Sequence, residues 1–319
     1  MGANGISGRA SCTRAASRRS ERIDAETAVG PWAKEKLGAL RHCLTYFNRV
    51  LKNQTWCTER IYVDAFAGPG RSPIRTKANK PLPMLDLLAE SDETASAGSD
   101  LTEYVNGSPR VALEIPDPFT RYIFVETADD RIAKLQAMRD EHGATRAIEI
   151  VKREANEALL DLIERQTFHA KSRSFIFLDP FAMQLPWSTI EALARTKTVE
   201  VIINFPLGMA IQRLLTRSAE WMPGWEETLD VYFGSTAWRE QAYEVSIDLF
   251  GKKTKKRPDA AKRLTDWYRR RLEEAFGFVS TARLVRNTRG AHLYYLIWAG
   301  PHKAGLRGAD YILRMGEVA

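Results

Sequence analysis

The stretch "IYVDAFAGPG", residues 61–70, decides the fold that this sequence predicts. Apolar residues run into Asp64, and the chain then turns on Gly68, Pro69 and Gly70. A buried strand that ends in a glycine-rich turn allows another molecule to approach the backbone closely. We therefore expect a binding site at the end of this strand.

Further apolar runs follow it, separated by helix-like stretches. They are continuous rather than alternating, which is typical of strands covered on both faces. Strands and helices in alternation predict a doubly wound, Rossmann-like α/β sheet. Two last strands, "GFVSTARLVRN" and "HLYYLIWAG", are separated by the turn residues "NTRGA" and predict a closing hairpin. The four inner predicted strands are residues 121–126, 147–151, 174–179 and 199–205.

The rest of the chain divides into a tail and one domain. Residues 1–30 are small, polar and Arg-rich and predict a disordered tail. Residues 31–319 form the predicted domain, which opens with an amphipathic helix from Trp32. Residues 72–106 predict an inserted loop or lid, followed by a helix that starts at Ser108 and Pro109 as cap and first turn. Residues 218–276 predict a helical insertion.

Composition narrows the functional classes. The formal net charge of +7 favours a polyanionic partner such as RNA or DNA. The three cysteines, Cys12, Cys43 and Cys57, lack the spacing of a zinc site or a disulfide framework, which fits a reducing cytoplasm. The opening residues lack an apolar signal region, and no apolar run approaches the roughly 20 residues that span a bilayer. We expect a cytoplasmic protein with no metal and no membrane partner.

The residues that follow the strands indicate a nucleoside-type ligand. In an open α/β sheet, ligands bind beyond the carboxyl ends of the strands. Glu126 ends the second strand, where a carboxylate can accept hydrogen bonds from two ribose hydroxyls. NAD and S-adenosylmethionine both fit this geometry. A dinucleotide fingerprint leads directly into a helix that holds the pyrophosphate, whereas a long insertion follows Gly70. Asp64 also suits an amino group and a sulfonium better than a pyrophosphate.

The motif "VDAFAGPG" resembles motif I of class I S-adenosylmethionine-dependent methyltransferases. "LDPFAMQLPW", "INFPLGMAIQRL", "FGSTAW" and "LYYLIWAG", in this order, resemble the three-Cys-motif partner family, TcmP, named for its association with a radical-SAM-like protein. The resemblance implies a seven-stranded class I methyltransferase sheet, that radical-SAM-like protein as partner, and S-adenosylmethionine as cofactor. It implies Asp64 near the methionine amino group, Glu126 on the ribose and Asn156 near the adenine edge. The predicted cofactor-binding residues are Asp64, Phe66, Ala67, Gly68, Gly70, Glu126, Glu154 and Asn156.

The candidate active site follows the fourth and fifth strands. "LDPFAMQLPW" stands where class I methyltransferases of base amines carry D/N-P-P-Y/F, so Asp179, Pro180 and Phe181 are candidate catalytic residues. A carboxylate or amide there can hydrogen-bond an amine and direct its lone pair toward a methyl group. Ala182 departs from the D-P-F-G form of tRNA guanine-N2 dimethyltransferases. The alternative is that Asp179 only caps the next helix. Asn204 competes with Asp179 as the amine acceptor.

Other features leave structural alternatives open. Arg213 could meet a substrate phosphate or form a surface ion pair. The basic run from Lys252 to Arg257 and residues 269–271 could contact phosphates or form a solvated face. Trp221, Trp225, Trp238 and Trp267 could stack on bases or pack in the core. The predicted function is methyl transfer from S-adenosylmethionine to a nucleic-acid base or related nucleotide. The rival function is a non-catalytic accessory partner of the radical-SAM-like protein.

Overall fold

The central strands form where the apolar runs predict them. The computed structural model describes residues 30, 32–73, 104–248 and 251–318. The predicted tail, apart from residue 30, and residues 74–103 of the predicted lid lie outside them. The central sheet contains β1 (Glu59–Asp64), β4 (Arg121–Glu126), β5 (Ile148–Lys152), β6 (Ser172–Leu178), β7 (Val199–Phe205), β10 (Phe278–Val279), β11 (Arg283–Arg286) and β12 (His292–Gly300).

Helices cover both faces of this sheet. They are α1 (Trp32–Leu51), α2 (Ser108–Leu113), α3 (Asp129–His142), α4 (Ala155–Glu164), α5 (Trp187–Arg195), α6 (Gln212–Leu214), α7 (Trp225–Phe233), α8 (Trp238–Ala242), α9 (Ala260–Phe276) and α10 (Lys303–Arg314), with a π-helix at Leu207–Ile211. α1 begins at Trp32, as its amphipathic pattern predicts. α2 has Gly107 as its N-cap, with Ser108 and Pro109 in the first turn, so Ser108 is not the cap.

The strand order defines the fold. Along the sheet the order is β10, β12, β7, β6, β1, β4, β5, with β11 also paired to β12. β1, β4, β5, β6 and β7 are mutually parallel, and β12 runs antiparallel to β7. Because β10 and β11 pair with successive parts of β12, they share one edge position, and the sheet has seven positions. This is a Rossmann-like, class I methyltransferase-type sheet, and the predicted fold class is confirmed.

The core consists of two layers, one on each face of the sheet. One layer packs α4, α5, α7 and α9 against side chains such as Ile61, Ile176 and Ile203. The other packs α1, α2 and α10 against Tyr62, Phe175 and Trp298. Burial on both faces explains why these strands carry apolar runs without alternation.

The two predicted insertions contain short antiparallel ribbons. β2 (Arg71–Pro73) pairs with β3 (Tyr104–Asn106) at the ends of the predicted lid, and Gly107 N donates to Gly70 O at 2.7 Å. Residues 218–276 contain the predicted helices and also a hairpin of β8 (Tyr243–Asp248) and β9 (Gly251–Lys256). The sequence prediction missed this hairpin because lysines dominate β9 and β-propensity is low for lysine.

Candidate active site

A cleft of about 340 Å³ opens at the carboxyl ends of β1, β4, β5 and β6. This is the edge where ligands bind in open α/β sheets. Of the predicted residues, Phe66, Gly68, Glu126, Glu154, Asp179 and Phe181 line the cleft. Asp64, Ala67, Gly70, Asn156, Pro180, Asn204 and Arg213 do not.

The two glycines of the turn after β1 have different roles. Both have positive φ, +62° at Gly68 and +73° at Gly70, so the turn requires residues without a side chain. A Cβ at Gly68 would meet no atom within 4 Å, whereas one at Gly70 would lie 3.2 Å from Met138 Sδ. The space above Gly68 is therefore open to the cleft, and Gly70 allows α3 to pack on the turn. Ala67 is buried, and its N–H donates to Val125 O at 3.0 Å, which anchors the turn to β4.

Glu126 presents an oriented carboxylate to the cleft. Its Oε1 accepts hydrogen bonds from the backbone N–H groups of Thr127 at 2.8 Å and Ala128 at 3.0 Å. Its Oε2 lies 3.6 Å from the Arg131 guanidinium. The side chain is only 7% exposed. These contacts hold the carboxylate in one orientation at the end of β4, which suits recognition of a diol.

Glu154 and Asn156 are tied to the start of α4. Glu154 caps this helix by accepting from the N–H groups of Asn156 at 2.7 Å and Glu157 at 3.1 Å. The Asn156 amide donates to Glu154 Oε1 and to Gln184 O, both at 2.8 Å, and accepts from Thr189 Oγ1 at 3.0 Å. The described structure therefore gives Asn156 a scaffolding role outside the cleft. Its place at an adenine edge stays a prediction.

Asp64 lies beneath the cleft rather than in its wall. Tyr62, two residues earlier on the same face of β1, donates its hydroxyl to Asp64 Oδ2 at 3.1 Å. Asp64 Oδ1 is buried and has no hydrogen-bond partner among the described residues. Burial raises the pKa of the Asp64 carboxyl to about 7, although hydrogen bonds from Ser108 and Tyr62 act in the opposite direction. The Asp64 side chain is fully covered in this structure, and its place near the methionine amino group stays a prediction.

Asp179 and Asn204 meet where β6 and β7 end. Asn204 Nδ2 donates to Asp179 Oδ1 at 2.6 Å. The Lys36 ammonium, from α1, forms an ion pair with Asp179 Oδ2 and lies 5.5 Å from the centre of the Tyr294 ring. Asn204 Oδ1 and the Tyr294 hydroxyl are buried without hydrogen-bond partners in the part of the chain that the structure describes. The two predicted amine acceptors thus form one polar cluster.

The loop after Asp179 exposes an aromatic ring on a constrained backbone. Phe181 is 56% exposed and borders the cleft. Its N–H donates to Gln184 Oε1 at 3.1 Å. Ala182 has φ of +58°, a left-handed conformation that favours glycine. The residue that departs from the D-P-F-G form is therefore also a point of backbone strain beside the cleft.

Most of the tryptophan and basic residues that were considered for nucleic-acid contact pack within the fold. Trp238 is fully buried, and Trp221 packs edge-on against it with ring centroids 5.7 Å apart. The Arg271 guanidinium stacks 3.8 Å from the Trp187 ring, and Lys256 Nζ donates to Leu215 O at 3.0 Å. These contacts support packing roles for four of the residues for which nucleic-acid contact was the alternative. Arg213 is exposed and outside the cleft.

Sequence reasoning missed several residues at this site, among them Lys36, Arg131 and Tyr62. Lys36 lies 143 positions from Asp179, and no local pattern connects the two. Arg131, in the first helix after β4, was detectable because a cation near an acid at a strand end is a local feature. Tyr62 was detectable from the two-residue period of a strand.

The described ranges contain neither a metal cluster nor a membrane-spanning helix. No group of three or more His, Cys, Asp or Glu side chains there could hold a metal ion. None of the described helices combines the length and apolar character needed to cross a bilayer.

Comparison with known proteins gives weak structural similarity. No family model and no curated protein match the chain. Protein LPL1258 from Legionella pneumophila, described under the family DUF519, matches with a TM-score of 0.45 and 13% identity over 88% of this chain and 94% of its own. Spermidine synthase from Thermotoga maritima has a TM-score of 0.34 and 9% identity, covering 83% and 62%. A structure titled for conversion of a disulfide bond into a thioacetal group during echinomycin biosynthesis has a TM-score of 0.30 and 9% identity, covering 85% and 87%. Because these TM-scores and identities are low, the fold assignment rests on the strand order of the sheet and not on these similarities.

Proposed function

We propose that this protein is an S-adenosylmethionine-dependent methyltransferase that acts on an amino group of a nucleic-acid base or related nucleotide. The observation that carries the proposal is the contact of 2.6 Å between Asn204 and Asp179, formed where two neighbouring parallel strands end. Asp179 borders the same cleft as Gly68 and Glu126. A candidate acceptor site and a candidate cofactor site therefore adjoin one another.

The cleft residues support S-adenosylmethionine as the cofactor. The space over Gly68 allows a ligand to lie on the backbone, and the Glu126 carboxylate is held for the two ribose hydroxyls. The buried, partnerless Asp64 Oδ1 beneath the turn leaves an acceptor for a water that joins it to the amino group of the methionine part. The bound cofactor supplies an electrophilic methyl group.

The polar cluster supports an amine as methyl acceptor. Asp179 Oδ2 already accepts from an ammonium, that of Lys36, so this oxygen can hold a nitrogen donor. Asn204 Oδ1 is an acceptor without a donor in the described structure. Two acceptors that take the two hydrogens of one amino group orient its lone pair for attack. The exposed ring of Phe181 offers a surface on which a base can stack.

The nucleic-acid and protein partners belong to the same proposal. The net charge of +7 and the lysines of β9 support an RNA or DNA substrate. The TcmP resemblance supports a radical-SAM-like partner, and the spacing of the three cysteines supports a cytoplasmic location. The rival proposal is an accessory role without turnover, and the strained "DPFA" loop is the observation that favours it.

Mass spectrometry of nucleosides tests this function. Total RNA and DNA from cells with and without the protein are digested, and methylated nucleosides are compared. A methylated base amine that disappears with the gene and returns with the parent protein, but not with Asp179→Ala, supports the enzyme. The partner protein must be present in these cells. If the cofactor binds but the amount of no methylated nucleoside changes, the accessory role replaces the methyltransferase role.

A further inference from the structure

A second cavity, of about 180 Å³, lies at the opposite edge of the sheet. It is enclosed by the carboxyl-terminal half of α1, by α10 and by the amino ends of β6 and β7. Its walls are largely apolar, and they include the aromatic rings of Tyr46, Phe47, Trp56, Phe175 and Trp298. An engineered apolar cavity of about 150 Å³ holds benzene, so this volume suits one ring with a short arm.

A single carboxyl group lies in this apolar cavity. Glu200, the second residue of β7, is 7% exposed. Its Oε2 accepts a hydrogen bond from the Trp298 indole N–H at 3.1 Å. The Trp298 indole supplies the one hydrogen bond that this carboxyl group receives from the described residues, and none reaches its Oε1. Burial raises the pKa of the Glu200 carboxyl to about 7. A buried acid with incomplete partners costs stability, and such groups concentrate at binding sites.

None of the described ionisable groups near the Glu200 carboxyl is a cation in direct contact with it. Arg173 favours the ionised form of Glu200, but no salt bridge joins the two among the described residues. Its guanidinium lies 4.3 Å from the Trp56 ring centre and donates to the Ala170 and Ser172 carbonyls. Burial raises the pKa of the Cys43 thiol to about 12, and partial burial lowers the pKa of His302. Both are therefore neutral near pH 7.

The lack of a side chain at Gly305 of α10 lets the Glu200 carboxyl group and the Trp298 ring pack directly against this helix. A Cβ at this position would lie 2.7 Å from Glu200 Oε1 and 2.5 Å from Trp298 Cζ2. Any larger residue would thus press on the partnerless oxygen and on the indole wall. Gly305, Glu200 and Trp298 therefore form one closely packed part of the cavity wall.

We infer that this cavity binds a small organic cation, an ammonium on a ring-sized apolar body. The ammonium donates to Glu200 Oε1, and the body packs against the Phe47, Phe175 and Trp298 rings. Aromatic walls attract a cation as well as an apolar group, so both parts of such a ligand are favoured here. The cavity shares no lining residue with the cleft at the other edge, so binding here is independent of the proposed methyl transfer.

Isothermal titration with matched probes tests the inference. The probes are 2-phenylethylamine, the neutral 2-phenylethanol and the anionic phenylacetate, at a mildly alkaline pH where the amine is protonated and Glu200 ionised. We expect the amine to bind at least about tenfold more tightly than the alcohol, because a hydrogen bond to a charged group is worth this much. The Trp298 indole N–H resonance should shift on binding, since its partner is Glu200.

Three variants locate the site. Glu200→Gln should remove the preference for the amine and leave binding of the alcohol nearly unchanged. Gly305→Ala should weaken both probes, whereas Gly38→Ala on α1, where a Cβ meets no atom within 4 Å, should change neither. The inference is overturned if the amine binds no more tightly than the alcohol, if phenylacetate binds best, or if the preference survives Glu200→Gln. If a variant fails to fold, the ranking of the three probes on the parent protein still decides.

Discussion

The Asn204 side-chain amide donates to Asp179 Oδ1 at 2.6 Å and joins the ends of β6 and β7 into one polar cluster. This orientation directs the amide nitrogen of Asn204 to Asp179 and leaves its carbonyl oxygen buried without a described partner. The sequence presented the two residues as competing acceptors. Under the proposed function, their contact lets the two side chains act together, with one oxygen from each.

Gly68 and Gly70 should respond differently to substitution. Gly68→Trp places a ring in the open space of the cleft and should abolish binding of S-adenosylmethionine, measured by isothermal titration. Gly70→Ala should mainly lower the melting temperature, because its Cβ meets Met138 Sδ at 3.2 Å. Gly290→Trp is the control for backbone strain, since Gly290 has φ of +80°, open space and a position away from the cleft. Equal loss of affinity in Gly290→Trp would contradict a specific role for Gly68.

Glu126→Gln should weaken binding of S-adenosylhomocysteine by about 1.5 to 3 kcal/mol, the usual contribution of hydrogen bonds to a charged group. The substitution keeps the size of the side chain and removes the charge that faces the cleft. Asp130→Asn, which changes an exposed acid on α3, should leave the affinity unchanged. Titration of both variants at equal salt checks the difference. Parent-like affinity in Glu126→Gln would place the ribose elsewhere.

The sequence predicted the scaffold better than the site. Strand positions followed from apolar runs that are buried on both faces, so β4 and β7 match their predicted bounds. The site depends on distant contacts, such as that between Lys36 and Asp179, which periodicity does not encode. Asn156 follows β5 as the sequence places it, but the contacts of its amide with Gln184 O and Thr189 Oγ1 join residues that no sequence pattern connects. The β8–β9 hairpin was missed because its lysines have low strand propensity.

The stability of the protein should fall as pH rises from about 4 to 7 through Asp64. Its folded-state pKa of about 7 lies above its ordinary value of 3.8, so in this window the native state holds a proton that the unfolded chain has released. The stabilisation is complete below the lower value and is lost as pH approaches the upper one, by up to about 1.4 kcal/mol per pH unit. Asp64→Asn should flatten this slope, whereas Asp140→Asn, an exposed change, should not. Urea unfolding across this pH range measures the free energy of unfolding at each pH. An unchanged slope in Asp64→Asn would contradict the attribution of this pH dependence to Asp64.

Binding of RNA or DNA should weaken steeply with salt if the basic excess serves a polyanion. Replacing Lys252, Lys253 and Lys255 of β9 with serine should flatten the plot of log affinity against log salt by about 0.7 to 0.9 for each phosphate that the variant no longer neutralises. Lys256 is left in place because its ammonium donates to Leu215 O at 3.0 Å. The control replaces three exposed lysines elsewhere, Lys134, Lys171 and Lys303, and removes the same charge. Equal flattening in both variants would exclude a localised contact at the hairpin, and a flat parent plot would exclude a polyanion.

Asp179→Ala and Asn204→Ala should each lower methyl transfer on the order of 10²-fold while S-adenosylhomocysteine affinity changes little, because both oxygens hold the acceptor amine mainly in the transition state. Since the two residues form one unit, the double variant should lose far less than the product of the single losses. Rates are measured with radiolabelled cofactor on the nucleic acid identified by mass spectrometry. Removal of Asp179 also frees the Lys36 ammonium, so Lys36→Met is measured beside it, with thermal unfolding of every variant. If folded single variants bind the cofactor and methylate at the parent rate, the chemistry does not occur at the ends of β6 and β7.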